Sequence, residues 1–423
     1  MTGMIDALAR YAVTASAPEN TALHLADSAL ALKAGLATAE GKAITQFSER
    51  LDRSPLQHAQ SLAAALRLTE IDNIHRPSAV TAGAISLPAI ITARAYATDA
   101  AQPLGAAFHV GQELSIRLAM AMGGAKLLGH GLWPSYLVAP FGAAAATGRL
   151  LGLQPERMRH ALALALAQTP GTVGRSIGPR PGRWLLFGGA VRAGCFAALA
   201  AADGVDGDPG LLSIDWLKAN GVQPSAEWLS QPTPLCAELS IKPYAAAKQT
   251  LTAIDGLLAL LADGIEASAI DAIEVTVPQA YAAMIDREPP DAGRLASLVS
   301  VRGQLALAAL RRDCLSDVGR DAIVWDSRLL NFAAKITVVP DPTLDRFYPA
   351  QWPARLTVTV GGRAREILVM DSLGDPKKTV GRTALLDKAR RLLGDSGVEI
   401  TTAALDMHQD LAALDHLCRH FVG

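Results

Sequence analysis

A carboxylate (Asp72), an imidazole (His75), a guanidinium (Arg76) and two hydroxyls (Ser78 and Thr81) fall within ten residues, in the stretch TEIDNIHRPSAVTAG at 69–83. Such groups can take, hold and return a proton, and they can bind an anion. Burying them is costly unless each finds a partner, so the stretch reads as a site or as a solvated connector. A second group is GTVGRSIGPRPGR at 171–183, which holds four glycines, two prolines and three arginines. Its glycines expose backbone N–H groups, and Arg175, Arg180 and Arg183 add fixed positive charge. That makes an anion trap suited to carboxylates or phosphate; the plainer reading is a surface loop with solvated arginines. It lacks the Gly–Lys–Ser/Thr ending of a P-loop. A third group is SIKPY at 240–244, with Lys242 and Tyr244 beside the rigid Pro243. A partly desolvated lysine can act as acid or base near neutrality; the plainer reading is a hinge with an exposed lysine.

These groups need elements to hold them. Apolar helical patterns at 62–66 and 85–97 flank the first group. Residues 104–122 carry a 3.6-residue apolar period, with His109, Glu113 and Arg117 at four-residue steps on the other face. Helices are predicted at 141–151, 155–167 and 184–202. Near residue 240 the pattern changes. Alternating, β-branched runs at 269–278, 334–340, 354–360 and 365–370 predict strands, the last two joined across Gly361-Gly362. Helical patterns lie between them at 245–262 and 299–310, and helices return at 382–393 and 402–421. The expected fold is mainly α with a second α+β domain. Residues 1–238 form a large all-helical domain, 239–380 a smaller α+β lid, and 381–423 are C-terminal helices that return to the helical domain.

Composition narrows the function. Half of the 423 residues are hydrophobic and only 5% aromatic, which suits closely packed Ala-rich helices. The net charge is −1 with no basic block, so nucleic acid is not expected as a partner. The N-terminal run carries charges unlike a signal peptide, and no uncharged apolar run is long enough to span a bilayer. Cys195, Cys236, Cys314 and Cys418 are scattered, so reduced thiols in the cytoplasm are the expectation. No metal site is expected: His416 and His420 share a helix face but have no third ligand. The glycine pairs lack the context of a dinucleotide fingerprint. A homodimer is expected through the helical domain, on apolar surface in the region 123–152.

Five segments in order resemble the MmgE/PrpD family over most of the chain. IDNIH is similar to its Asp-Asp loop, and VGQELSIRL to its Gly-Tyr-Glu-Val…Arg-Leu helix. GLWPSYLVAPFGAAAATGRLLGL resembles its Gly-Trp-His-Pro-Thr…Phe-Gly-Ala-Ala segment, IKPYAAAKQTLTAID its Lys-Pro-Tyr-Pro…Ile-Asp-Ala stretch, and LGDPKKTV its Gly-Asp-Pro-x-Asn-Pro segment. The resemblance implies the fold given above, a homodimer, no cofactor, and chemistry on small di- or tricarboxylic acids. Family members include 2-methylcitrate dehydratases, cis-aconitate decarboxylases and iminodisuccinate epimerases.

Matched to those motifs, Lys242 and Asp72 are kept. Asn73 replaces the second acid, Thr81-Ala82 stands for His-Pro, and Arg183 stands at the usual lysine. Trp133 and Leu251 replace histidines. The Leu-Trp-Pro-Ser version is more similar to the epimerase-type branch. Proton removal next to a carboxylate then assigns Lys242 as one proton carrier and Asp72 or His75 as the other, with Tyr244 as a donor. Substrate binding falls to Arg183, Arg180, Arg175, Ser78, Thr81, Trp133 and Ser135. A lyase of the same family and a non-catalytic diacid-binding or scaffold protein are the alternatives.

Overall fold

A computed structural model describes residues 3–97, 104–170, 181–289, 294–320, 323–406 and 421. The chain divides into two compact units: Met1–Leu68, Asp72–Leu239 and Gly381–Gly423 form one, and Thr69–Ile71 with Ser240–Val380 the other.

The first unit is helical. Its described helices are α1 (Met4–Thr14), α2 (Thr21–Ala37), α3 (Ala39–Leu51), α4 (Pro55–Arg67), α5 (Gly83–Arg94), α6 (Leu104–Ala121), α7 (Pro134–Leu150), α8 (Pro155–Ala167), α9 (Gly182–Ala202) and α10 (Ile214–Asn220). A two-residue strand, β1 (Ile74–His75), lies in the connection between α4 and α5, and β2 (Leu239–Ser240) lies where the chain passes to the second unit. Local chemistry sets the helix starts. Thr38 and Ser54 accept from Gly41 N–H and Gln57 N–H as N-caps, and Pro55, Pro134 and Pro155 occupy first-turn positions.

Small residues let these helices approach closely. A Cβ on Gly188 would lie 2.0 Å from the Gln60 carbonyl oxygen of α4, and one on Gly194 2.1 Å from the Pro140 carbonyl oxygen of α7. α9 therefore crosses α4 and α7 at backbone contact. By length and composition α9 could cross a membrane, and half of its apolar window is buried in this unit.

The second unit is α+β. Its sheet has the order β4-β3-β5-β6, made of β3 (Ile270–Pro278), β4 (Ile336–Asp341), β5 (Ala354–Val360) and β6 (Arg363–Val369). β3 runs parallel to β4 and antiparallel to β5, and β5–β6 is a hairpin turning on Gly361 and Gly362, both at positive φ. Its helices are α11 (Lys248–Ala262), α12 (Gln279–Ile285), α13 (Arg294–Ser297), α14 (Val301–Leu310) and α15 (Ser327–Ala333); α11 packs on β5, β6 and α14.

α16 (Arg382–Asp406) then packs on α2 in the first unit, with a break at Gly394. Lys388 Nζ meets Asp27 Oδ1 at 2.5 Å, both side chains buried.

Two expectations are corrected. The helix expected at 141–151 starts at Pro134, because Trp133 is its N-cap and Pro140 is held inside it. In the region 123–152 almost all of α7 is buried, and the apolar surface that remains includes the half-buried Leu128, Leu132, Trp133 and Tyr136. Exposed apolar residues lie instead on α9, where Leu186, Gly189, Ala193, Phe196 and Ala200 share one face and are exposed or half-buried. The predicted helix at 402–421 joins α16 at its start, and 407–420 lie outside the described residues.

Candidate active-site residues

The chemistry-bearing residues form clusters within each unit. In the helical unit the first polar stretch is not a solvated connector. Asp72, His75, Arg76, Ser78 and Thr81 are all buried. Asp72, fully buried, forms an ion pair with Arg67 at the end of α4. The Arg67 guanidinium lies 4.6 Å from the centre of the Trp184 ring, and that of Arg183 lies 3.9 Å from the same ring. Trp133 packs edge-on against Trp184 at 5.0 Å and near Phe187 at 5.5 Å. Asp72, Trp133 and Arg183, remote in sequence, thus belong to one cluster. Two guanidinium groups on one indole favour an anion nearby.

Trp133 leads directly into a second group. Ser135, in the first turn of α7, accepts from Thr81 N–H at 3.1 Å, meets the Thr81 hydroxyl at 3.3 Å, and donates to the Ala79 carbonyl at 3.3 Å. Ser78 contacts His75 Nδ1 through its hydroxyl at 2.9 Å and its N–H at 3.3 Å. Burial, helped by the Arg76 charge, pushes the His75 imidazole down to about 3, so the ring is neutral. Asn73 has a structural task. Its amide donates to His24 O and Ser28 Oγ of α2, and its oxygen accepts from Gly83 N–H at the start of α5. Arg175 and Arg180 lie outside the described residues.

In the α+β unit Lys242 is 1% exposed, and its Nζ donates to Glu70 Oε2 at 3.1 Å. Glu70 takes a φ of 56°, a conformation a side-chain-bearing residue adopts at a cost. Tyr244 is half-buried. The segments around Lys242 and Asp375 are stitched together. Ile241 N–H donates to Gly374 O at 2.9 Å, Ser240 Oγ to Asp375 Oδ1 at 2.7 Å, and Lys248 Nζ to Asp375 at 2.9 Å and to Ser372 Oγ at 2.6 Å. Buried Arg320 donates both terminal nitrogens to the Cys314 and Ala245 carbonyls, and so fixes the backbone three residues after Lys242. Burial lowers its guanidinium to about 10.

Glu70 and Arg67 were missed by sequence reasoning. Glu70 stands inside the first stretch, but its partner is 172 residues away, and no local spacing announces that. Arg67 reads as an ordinary helix-terminal cation; only its pairing with Asp72 gives it a part.

A third buried network joins Glu113, Arg117, His109, Cys236 and Tyr11. Glu113 accepts from Arg117 Nε at 2.6 Å and from the N–H groups of Leu235 and Cys236, while His109 Nδ1 meets Cys236 Sγ at 3.1 Å and Tyr11 meets His109 Nε2 at 2.9 Å. Burial and the Glu113 charge raise the Cys236 thiol well above its usual range, so the pair is not an activated thiolate.

The helical unit, with two guanidinium groups on Trp184, and the α+β unit, with its buried lysine–carboxylate pair, each match a family model. The MmgE/PrpD N-terminal domain matches residues 6–228 and the MmgE/PrpD C-terminal domain residues 244–411. The chain belongs to the MmgE/PrpD family. It is similar to two curated proteins, each called cis-aconitate decarboxylase, from Aspergillus terreus and from Aspergillus terreus strain NIH 2624 / FGSC A1156. Each is 31% identical over 184 residues, which is 40% of this chain and 37% of the relative's length.

Proposed function

We propose that this protein is a cofactor-independent epimerase that removes and returns the proton next to a carboxylate of a small di- or tricarboxylic acid. The observation that carries this is the Lys242–Glu70 pair. A buried amine hydrogen-bonded to a carboxylate can pass a proton across a single contact, and burial keeps bulk water from intercepting it. Tyr244, half-buried two residues after Lys242, serves as the donor for the opposite face. Glu70 accepts the proton that Lys242 holds, which leaves the amine free to take the proton on carbon. As it leaves, negative charge moves onto the neighbouring carboxylate and needs cations or donors. Within the helical unit, Arg183 on Trp184 is suited to hold a carboxylate, and Asp72 serves to hold Arg67 against the same ring rather than to carry a proton.

The alternative is a lyase, a decarboxylase or dehydratase that shares the first step. The name of the Aspergillus relatives favours it; the Trp133 and Leu251 replacements favour the epimerase. A non-catalytic diacid binder is the third reading, and the Lys242–Glu70 pair speaks against it. Incubation with C4–C7 di- and tricarboxylates in deuterium oxide separates the three. An epimerase returns substrate carrying deuterium, a lyase changes its mass by loss of carbon dioxide or water, and a binder leaves it unlabelled. Recovery of every acid unlabelled and intact would remove both enzymatic readings.

A further inference from the structure

The loop that carries His75 is built to hold one ring in one orientation. His75 N–H donates to Val80 O at 2.9 Å and Ala79 N–H to Arg76 O at 3.1 Å. Ala79 takes a φ of 55°, a second costly conformation in the same stretch as Glu70. Ser78 then presents two groups to Nδ1, its N–H at 3.3 Å and its hydroxyl at 2.9 Å, and the hydroxyl itself accepts from Val80 N–H at 3.3 Å. A backbone N–H can only donate. Nδ1 is therefore an acceptor, and a neutral ring carries its proton on Nε2.

That Nε2–H is buried and has no hydrogen-bond partner among the described residues. A buried donor left unsatisfied is costly, and so is the backbone conformation that aims it. Both costs are explained if a ligand supplies the acceptor. His24 Nδ1 is also without a partner, yet nothing fixes the tautomer there, since its other nitrogen meets only the Asn20 amide at 3.4 Å.

We propose that His75 is a neutral hydrogen-bond donor whose Nε2–H binds a carboxylate oxygen of the substrate, and so selects an acid over an amine at that position. The proposal rests on the reading of the substrate as a small carboxylic acid. It replaces the assignment of His75 as second proton carrier, because a neutral donor held in this tautomer has its accepting nitrogen already occupied by Ser78.

The test uses the full chain with ¹⁵N-labelled histidine, and maleate, citrate and cis-aconitate as probes. The signal lost in His75→Gln is expected to report a protonated Nε2 and a bare Nδ1, and to move in the wild type when a probe binds. Calorimetry is expected to show His75→Ala binding the acids about tenfold more weakly, and His75→Gln, which keeps an N–H at the end of a chain of similar reach, staying within about threefold. An imidazolium or an Nδ1–H tautomer would overturn the proposal. So would His75→Ala that folds and binds every probe as tightly as the wild type. If His75→Ala does not fold, the tautomer and the His75→Gln affinity decide. Deuterium exchange is scored apart: its absence with binding and tautomer as expected sinks the epimerase reading and leaves this assignment standing.

Discussion

Lys242 and Glu70 make the sharpest claim at the scale of single residues. An ammonium that is 1% exposed and bonded to a carboxylate cannot be replaced by a guanidinium, which is larger, planar and does not release its proton near neutrality. Lys242→Ala and Lys242→Arg are both expected to abolish turnover in folded protein, with deuterium wash-in as the readout. Exchange at the wild-type rate in either variant removes the lysine from the mechanism. Arg183 is a gentler case. Its guanidinium rests on the Trp184 ring, so the side chain is already oriented and loses little freedom on binding an anion. Arg183→Ala is expected to weaken diacid binding or turnover at least about tenfold, as for truncation of a charge-assisted contact. An unchanged dissociation constant by calorimetry would make Arg183 a structural partner of Trp184 alone.

At the scale of elements, the SIKPY segment is positioned by backbone contact as well as by the side chains of Ser240 and Lys242. Gly374 has a φ of 86°, and a Cβ there would sit 1.9 Å from the Ile241 carbonyl oxygen, one residue before Lys242. Gly374→Ala is therefore expected to cost more than about 1 kcal/mol of stability and to lower turnover beyond what the loss of folded protein explains. A melting temperature and rate matching the wild type would show that the loop yields freely. The same elements show what the sequence discloses. α8 and β5 match their expected bounds, because Pro155 sets a helix start and strict alternation marks a strand against one buried face. α7 was cut short, since a proline inside an apolar run reads as a boundary when in fact the helix passes through Pro140. The Lys242–Glu70 and Arg67–Asp72 pairs were not legible as pairs. Local spacing reports which face a residue takes, not which distant side chain meets it there.

At the scale of the whole molecule, burial of neutral histidines sets an acid limit. Burial pushes His24 and His109 down to about 4 and His75 down to about 3. Unfolded, each would protonate below about pH 6.5, so the unfolded chain holds more protons and stability rises with pH across this window. Falling pH is expected to remove up to about 1.4 kcal/mol per pH unit for each such ring, starting near 6.5. The urea midpoint should drop between pH 7 and pH 5; equal midpoints would mean that these rings are charged in the fold. Association belongs to this scale too. We propose that the expected homodimer contact uses the apolar face of α9, with Leu186 at 53% and Phe196 at 54% exposure. Sedimentation at micromolar concentration should give twice the chain mass of 44.2 kDa, and Phe196→Glu should shift it to the monomer. A wild type that sediments as a monomer removes the contact.

The Lys388–Asp27 pair spans 361 residues. A ribosome delivers residues in order, so Asp27 of α2 waits for Lys388 of α16 through the synthesis of everything between them. The α+β unit, apart from Thr69–Ile71, is contiguous in sequence and complete before that, while the helical unit, which begins first, is finished last. During that interval the surface of α2 that α16 will cover is open to solvent, together with a buried-to-be carboxylate still without its lysine. The nascent chain thus carries an unclosed apolar seam until α16 is made, and that helix acts as the clasp that ends the exposure.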